Sequence, residues 1–255
     1  MNDNKEKEAT GAQYAQFGLM VSLRTTKTLG EKNFSFDAMQ QLLGDPDKPV
    51  DSIVDKVVRE IFGINFDKWV REKEKISKFY EVCFGIKVDW KGIVIPTGPA
   101  EFNHLELILK ELTEDQIYNA YAKKFGKDKV WKYYDSISKT INRDKGGEAL
   151  RPKGNYLILH LGGDEPDVKH LNKSYNDFSD DGNKYMIVKE GMIAAMRYRF
   201  ETDKMYDVKG LTRFHSLDAD GYAMLMFRDS YGQFNISWYD RGNRYSDNGP
   251  RQVVF

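Results

Sequence analysis

The sequence predicts an α+β protein in which a helical N-terminal part is followed by a mixed domain with a small, mainly antiparallel sheet. In the N-terminal part, apolar residues recur at the three- and four-residue spacing of amphipathic helices. In the C-terminal part, short runs rich in aromatic and β-branched residues alternate with turn-forming segments, as strands and their connections do. The Gly-, Arg- and Lys-rich stretch 142–154 separates the two patterns and is the best candidate for a boundary. We therefore expect a flexible tail over residues 1–13, a mainly helical region over 14–141 and a separate domain over 142–255.

The composition is that of a globular protein suited to a reducing compartment. With 255 residues, of which 40% are hydrophobic, the chain can bury a substantial core. Its 39 basic and 39 acidic residues give zero net charge, which argues against a nucleic acid or an anionic membrane bound by bulk charge. Cys83 is the single cysteine of the sequence, so a disulfide framework is excluded. The sequence has neither a membrane-span pattern nor a signal-peptide pattern, so a cytoplasmic protein is expected, with export by another route left open.

Three amphipathic patterns predict the first helices. Residues 34–43 form one such pattern, with Ser35 as a plausible N-cap. Residues 52–62 repeat it and end before a glycine, which commonly stops a helix. Residues 67–84 predict a longer third helix.

Capping chemistry marks the next helix along the chain. Thr113 and Gln116 have the spacing of a capping box, which predicts a helix that continues to Phe125. The segment 128–141 also has helical spacing and predicts a further helix.

Other segments favour extended structure or leave two alternatives. Residues 86–88 and 93–95 are either two short strands or an extended connector, and 102–112 is either a strand or a short helix. The very apolar run 155–161 predicts a buried strand. Residues 185–200 again show helical spacing.

The C-terminal runs 222–227, 234–238 and 252–255 predict three adjacent strands. The two segments between them consist mainly of Asp, Asn, Ser, Gly, Tyr and Arg, and we expect them to emerge on one side of the sheet. Such a composition is typical of binding loops, in which Tyr and Arg provide the main contacts. Ordinary polar turns use most of the same residues and are the simpler interpretation. By strand alternation, Trp238 is expected to be buried and Tyr239 to face outward.

The sequence contains no sharp catalytic or metal-binding motif. The four histidines have no metal-ligand spacing, and 218–221 contains only a fragment of a calcium loop, so neither a metal nor a cofactor is expected. The acidic segment 177–183 has oxygen ligands for weak calcium binding, although a solvated loop is the simpler interpretation. An enzyme with an acid and a base from Asp164, Glu165 or Asp181 stays open as an alternative.

Several segments in a fixed order resemble a known class of protein. These are Asn142-Arg143-Asp144, Tyr156-Leu157-Ile158-Leu159, the acidic loop, the helix of 187–200, Asp207-Val208, Ser237-Trp238-Tyr239 and Pro250-Arg251-Gln252-Val253-Val254. Over about its last two-thirds, the chain resembles target proteins of diversity-generating retroelements from uncultivated, small-genome bacteria. That resemblance implies a C-type-lectin-like fold for residues 142–255.

The resemblance also implies which residues vary. In that family adenines are mutated, so Asn codons become codons for Asp, Ser, Gly, Tyr and a few others. The matching positions here are Asp229, Ser230, Tyr231, Gly232, Asn235, Tyr239, Asp240, Gly242, Asn243, Tyr245, Ser246, Asp247 and Asn248. Trp238 and Arg251 to Val254 would be framework, and Gly249-Pro250-Arg251 departs from the Gly-Phe-Arg motif common in the family.

The function expected from these observations is non-catalytic binding by a hypervariable C-terminal surface. The partner would be a protein or another macromolecule. The alternatives are the enzyme described above and an accessory structural protein of a phage or mobile element.

Overall fold

The computed structural model describes residues 66–255. The chain divides into two compact units, Met1–Arg71 and Glu72–Phe255, and the fold described below is that of the second. The predicted tail over 1–13 and the predicted helices over 34–43 and 52–62 lie outside the described residues.

The helices confirm several of the sequence predictions. They are α1 (Phe66–Phe84), α2 (Glu114–Phe125), α3 (Ile137–Thr140), α4 (Tyr175–Phe178) and α5 (Val188–Thr202), with short 3-10 turns over 127–129, 148–150 and 168–170. The capping box at the start of α2 is present: the Gln116 amide N–H donates to the Thr113 hydroxyl, and the Thr113 amide N–H donates to Gln116 Oε1. The predicted helices over 67–84 and 185–200 are therefore present as α1 and α5, with ends displaced by a few residues.

The predicted helix over 128–141 is wrong. Its first part forms β2, which pairs with a strand about a hundred residues later, and its last part forms the short helix α3. The carboxylate of Asp115 fixes the start of α3, because it accepts hydrogen bonds from the Ser136 hydroxyl and from the amides of Ile137 and Ser138. Non-local pairing thus overrides the local helical spacing.

The strands form two sheets. They are β1 (His104–Ile108), β2 (Val130–Lys132), β3 (Tyr156–His160), β4 (Leu211–Leu217), β5 (Ala223–Arg228), β6 (Phe234–Tyr239), β7 (Asn248–Gly249) and β8 (Val253–Val254). One sheet has three strands in the order β1-β3-β8, and all its pairs are antiparallel. The other has five strands in the order β2-β6-β5-β4-β7, with an antiparallel centre and parallel edge strands β2 and β7. The segments 86–88 and 93–95 form no strands and belong to an irregular connector.

The C-terminal strand does not lie beside β6, as the sequence predicts. β8 joins the other sheet, where Val254 is paired with Leu159 and Val253 with His160. β7 precedes it at the edge of the five-stranded sheet, so the chain crosses from one sheet to the other between residues 249 and 253.

The predicted boundary at residue 142 does not separate two compact units. β1 and β2 both precede it, and each pairs with a strand that follows it. The second compact unit begins at Glu72 instead. A segment that contributes strands to both sheets cannot fold as an independent helical region.

Helix α5 packs against β1 of the three-stranded sheet and against β4 and β5 of the five-stranded sheet. The close contact is at Gly191, where an added Cβ would lie 2.2 Å from the ring of Phe214 on β4. Gly191 weakens the helical pattern in the sequence, and the packing explains why a glycine stands there.

Two buried arginines form ion pairs with segments that are distant in the sequence. Arg251 is completely buried; its Nη2 donates to Asp207 at 2.9 Å and its Nε donates to the hydroxyl of Thr212 at 2.9 Å. Arg197 on α5 contacts three carboxylates, those of Glu72, Glu106 and Glu201. Partners of this kind offset the cost of burying a charge.

Candidate functional site

The two polar loops leave β6 at opposite ends. Residues 229–233 join β5 to β6 beside the pair Arg228 and Phe234, whereas residues 240–247 follow Tyr239 at the other end of the hairpin, where it is paired with Ala223. A strand of this length separates the two ends by roughly 17 Å at 3.3–3.4 Å per residue. The expectation that both loops emerge on one side is therefore wrong, because successive connections of an antiparallel meander alternate between its two ends.

The loop over 229–233 is a tight turn. The Asp229 carboxylate accepts hydrogen bonds from the amides of Tyr231 at 3.0 Å and of Gln233 at 2.8 Å. Gly232 has φ of 74°, a left-handed conformation that glycine adopts without strain. Ser230 and Tyr231 are exposed, but the turn itself has the hydrogen bonding of an ordinary hairpin.

The structure places two of the expected surface residues inside the protein. Asn235 is 4% exposed and donates its side-chain amide to the main-chain carbonyl of Gln233. Asn248 is also 4% exposed, and its carbonyl accepts a hydrogen bond from the amide of Asn172. Neither side chain is available to a ligand at the surface.

In the loop over 240–247 the main chain is hydrogen-bonded, whereas several side chains are not. The Asp240 carboxylate accepts a hydrogen bond from the Gly242 amide, and the Arg241 carbonyl accepts one from the amide of Asn176 in α4. Arg244 forms an ion pair with Asp177 at 2.5 Å. Within residues 66–255, no hydrogen bond involves the side chains of four of its residues: Asn243, Tyr245, Ser246 and Asp247.

Two tyrosine rings pack against each other where this loop leaves β6. The rings of Tyr239 and Tyr245 are 5.3 Å apart, and Tyr245 is 45% exposed. Below them lies Arg213, which is completely buried and donates one long hydrogen bond of 3.4 Å to the Asp240 carbonyl. Its Nε and Nη2 have no hydrogen-bond partner among the described residues, and burial lowers the pKa of its guanidinium. The loop therefore covers an incompletely neutralised cation.

A second aromatic cluster lies at the same end of the sheet. The first three residues of β6 are buried, but its last three, including Trp238, are only half-buried. The Trp238 ring lies 4.3 Å from Tyr222 and 5.7 Å from Tyr133, and these two neighbours are 37% and 57% exposed. The prediction that Trp238 is buried is thus wrong, because β2 ends at Lys132 and the aromatic neighbours cover Trp238 only in part.

We call these residues together the β6-end surface: Tyr133, Tyr222, Trp238, Tyr239 and the loop 240–247. The sequence analysis misses Tyr133 and Tyr222. The aromatic residues of the segment Trp131 to Tyr134 are visible in the sequence. Because the sequence analysis assigns this segment to a helix, it does not reveal that the segment begins in the edge strand β2 and continues directly past its end.

The acidic residues that the alternative interpretation as an enzyme would use accept hydrogen bonds from other groups of the same chain. The Glu165 carboxylate accepts hydrogen bonds from the amides of Lys209 and Gly210, at 2.9 and 2.7 Å. Asp181 accepts hydrogen bonds from the Tyr185 hydroxyl and the Asn183 amide. Asp164 contributes its main-chain carbonyl, which accepts the amide of Asp207. These contacts stabilise loops and do not bring an acid and a base together.

The described part of the chain holds no group of three or more His, Cys, Asp or Glu side chains arranged for a metal ion. Asp218 accepts the hydroxyl of Tyr134 and the amide of Tyr222, as expected for a tight turn. Among residues 66–255, each helix is too short or too polar to cross a membrane. Comparisons with models of protein families, with curated proteins and with solved structures give no match.

Proposed function

We propose that this protein is a non-catalytic binding protein whose β6-end surface recognises a protein ligand. The observation that carries the proposal is the concentration of exposed Tyr and Arg side chains, with the half-buried Trp238, at one end of the five-stranded sheet. Tyr and Trp offer large contact areas at low entropic cost, and Arg offers several donors, so these residues dominate protein interfaces.

The proposal is also supported by how the loop over 240–247 is held. Its first residue accepts a hydrogen bond from Arg213, and its last residue, Asp247, accepts one from the amide of Leu211 on β4. The main-chain carbonyls at both ends are therefore held, while the side chains of Asn243, Tyr245, Ser246 and Asp247 form no hydrogen bond within residues 66–255. Such a loop can change its side chains with little effect on folding.

We further propose that the protein is a target of a diversity-generating retroelement and that its C-terminal part has a C-type-lectin-like fold. The support is the resemblance described above together with the composition of the loop. Because Asn235 and Asn248 are buried, the variable positions that serve recognition reduce to Tyr239, Asp240, Gly242, Asn243, Tyr245, Ser246 and Asp247.

The genetic part of this proposal predicts a near-copy of the coding segment for residues 229–248 close to the gene. The two copies are expected to differ at adenines and to differ mostly in codons of the exposed loop. Sequencing the locus in several isolates measures this directly. Differences spread over all four bases, or concentrated in codons of buried residues such as Ile236, would remove the retroelement from the proposal.

The proposed binding function predicts that substitutions in the loop over 240–247 reduce ligand affinity without reducing the melting temperature much. A triple variant with Asn243→Ser, Tyr245→Ser and Asp247→Ser is expected to melt within about 5 °C of the parent, since each change removes a side chain that forms no hydrogen bond and lies at an exposed or half-exposed position, where a substitution contributes about 0.5 kcal/mol or less. Its affinity for a peptide selected against the parent protein from a random displayed library is expected to fall by about tenfold or more. Thermal unfolding and calorimetric titration measure the two quantities.

The matched control is Tyr231→Ser, which removes an 84% exposed tyrosine at the opposite end of the sheet. It is expected to leave both the melting temperature and the peptide affinity unchanged. Equal loss of binding in the control and the triple variant would contradict a site at the β6 end. A large drop in melting temperature of the triple variant would show that the loop side chains belong to the fold.

A further inference from the structure

A cavity lies away from the β6-end surface, between the end of β1, the loop over 142–154 and the start of α5. Its volume is about 470 Å³, within the range of small-molecule sites. Its lining has more basic than acidic side chains: the carboxylates are those of Asp144 and Glu148, and the cations are Lys110, Arg143, Arg151, Lys153 and Lys189. None of the lining residues belongs to the β6-end surface.

The two arginines already have carboxylate partners. Arg143 bridges Glu114 at 2.7 Å and Glu148 at 2.8 Å. Arg151 pairs with Glu190 at 2.6 Å, and the carboxylate of Glu190 also accepts a hydrogen bond from the Tyr156 hydroxyl. All three carboxylates are buried; Glu148 and Glu190 are bonded through both oxygens, whereas Glu114 is bonded through Oε2 only.

The three lysines have no such partners. The ammonium group of Lys189 lies 3.4 Å from the Leu109 carbonyl and 3.5 Å from the Lys110 carbonyl, which are long contacts for a charged donor. Across residues 66–255, no carboxylate lies within ion-pair distance of Lys110, Lys153 or Lys189. Burial lowers the pKa of Lys189, and the neighbouring cation Arg143 adds to this effect, so the more distant carboxylates of Glu114 and Glu148 offset the lost hydration only in part. The cavity thus has a surplus of positive charge.

We propose that this cavity binds a small organic anion, with its phosphate or carboxylate group held by Lys189 together with Lys110 and Lys153. An anionic oxygen at this position would give Lys189 the short, charge-assisted hydrogen bond that the protein does not supply. The volume leaves room for a polar body beside Asp144 and Glu148. This inference is independent of the proposed function, because it concerns different residues and a different class of ligand.

The test is calorimetric titration of the full chain with glucose 6-phosphate, gluconate and glucose. The first two probes present a phosphate and a carboxylate on similar polar bodies, and the third is their neutral counterpart. At least one anion is expected to bind, and glucose is not. Lys189→Met is expected to weaken anion binding by about tenfold or more, since it removes a charged hydrogen-bond donor and retains most of the side-chain volume.

The matched control is Lys209→Met, a charge removal at an exposed lysine that does not line the cavity. It is expected to change anion affinity by less than about twofold. Lys189→Met should also melt close to the temperature of the parent, since no carboxylate lies within ion-pair distance of Lys189; a lysine with a purely structural role would lower the melting temperature. Should this variant fail to fold, Lys110→Met tests the same site from an exposed position. Absence of binding by both anions, equal binding of glucose, or equal losses in variant and control would overturn the proposal.

Discussion

Replacing Arg251 with methionine is expected to destabilise the protein by about 3–5 kcal/mol, the range measured when one partner of a buried ion pair is removed. The change leaves the carboxylate of Asp207 buried at 1% side-chain exposure without its cation. It also removes the donors to Thr212 and to the carbonyls of Gly162 and Gly163. Urea unfolding at neutral pH measures the free energy difference.

The control for this variant is Arg244→Met. Arg244 also pairs with an aspartate, Asp177, but its side chain is 59% exposed. Exposed pairs contribute about 0–1 kcal/mol, so the control should unfold close to the parent. Equal losses in the two variants would mean that burial does not determine what the Arg251 pair contributes.

The second large effect is expected at Arg197, and it depends on pH. Burial alone would raise the pKa of Glu106, but Arg197 and His160 outweigh it and hold that pKa below its usual value. Burial also opposes a low pKa for Glu72, whose pKa is nevertheless lowered by Lys75 and Arg197. A carboxylate with a lowered folded-state pKa stabilises the protein above its unfolded pKa, and this contribution is lost as the pH falls through the folded pKa.

Arg197→Met should therefore cost about 3–5 kcal/mol at pH 7, where Glu106 is left charged and buried. The difference from the parent should shrink below about pH 4, because Glu106 is then protonated in the variant, and because the contribution of the ion pair in the parent is lost as the pH falls further through the lowered folded-state pKa. Urea unfolding at pH 7 and at acid pH measures both values. Lys75→Met is the control, since Lys75 pairs with the same Glu72 at 56% side-chain exposure and should have little effect at either pH. A difference in unfolding free energy that is constant with pH would contradict the attribution of this effect to the pair of Arg197 and Glu106.

Local chemistry explains which elements the sequence predicts correctly. The start of α2 follows from Thr113 and Gln116, because a capping box depends on residues three positions apart. The strand β3 follows from its continuous apolar run. These signals need no knowledge of distant parts of the chain.

The errors arise where distant segments decide the outcome. Val130 and Trp131 form a strand because β6 lies beside them, and the helical spacing around them contains no sign of that partner. The C-terminal strand joins β3, almost a hundred residues earlier, instead of the strands that immediately precede it. The basic cavity is likewise assembled from β1, a loop and α5, so no single stretch of sequence displays it.

The crossing between β7 and β8 has a consequence for how the protein is made. The residues that complete both sheets, together with Arg251, follow the exposed loop 240–247 in the chain. During synthesis, the ribosome must therefore translate the loop in frame before either sheet can close. A stop codon or frameshift in the loop removes the final strands and the Arg251 pair, and we expect the truncated chain to resist proteolysis less well than the complete one. The complete fold therefore forms only when the segment that we propose to vary has been translated in frame.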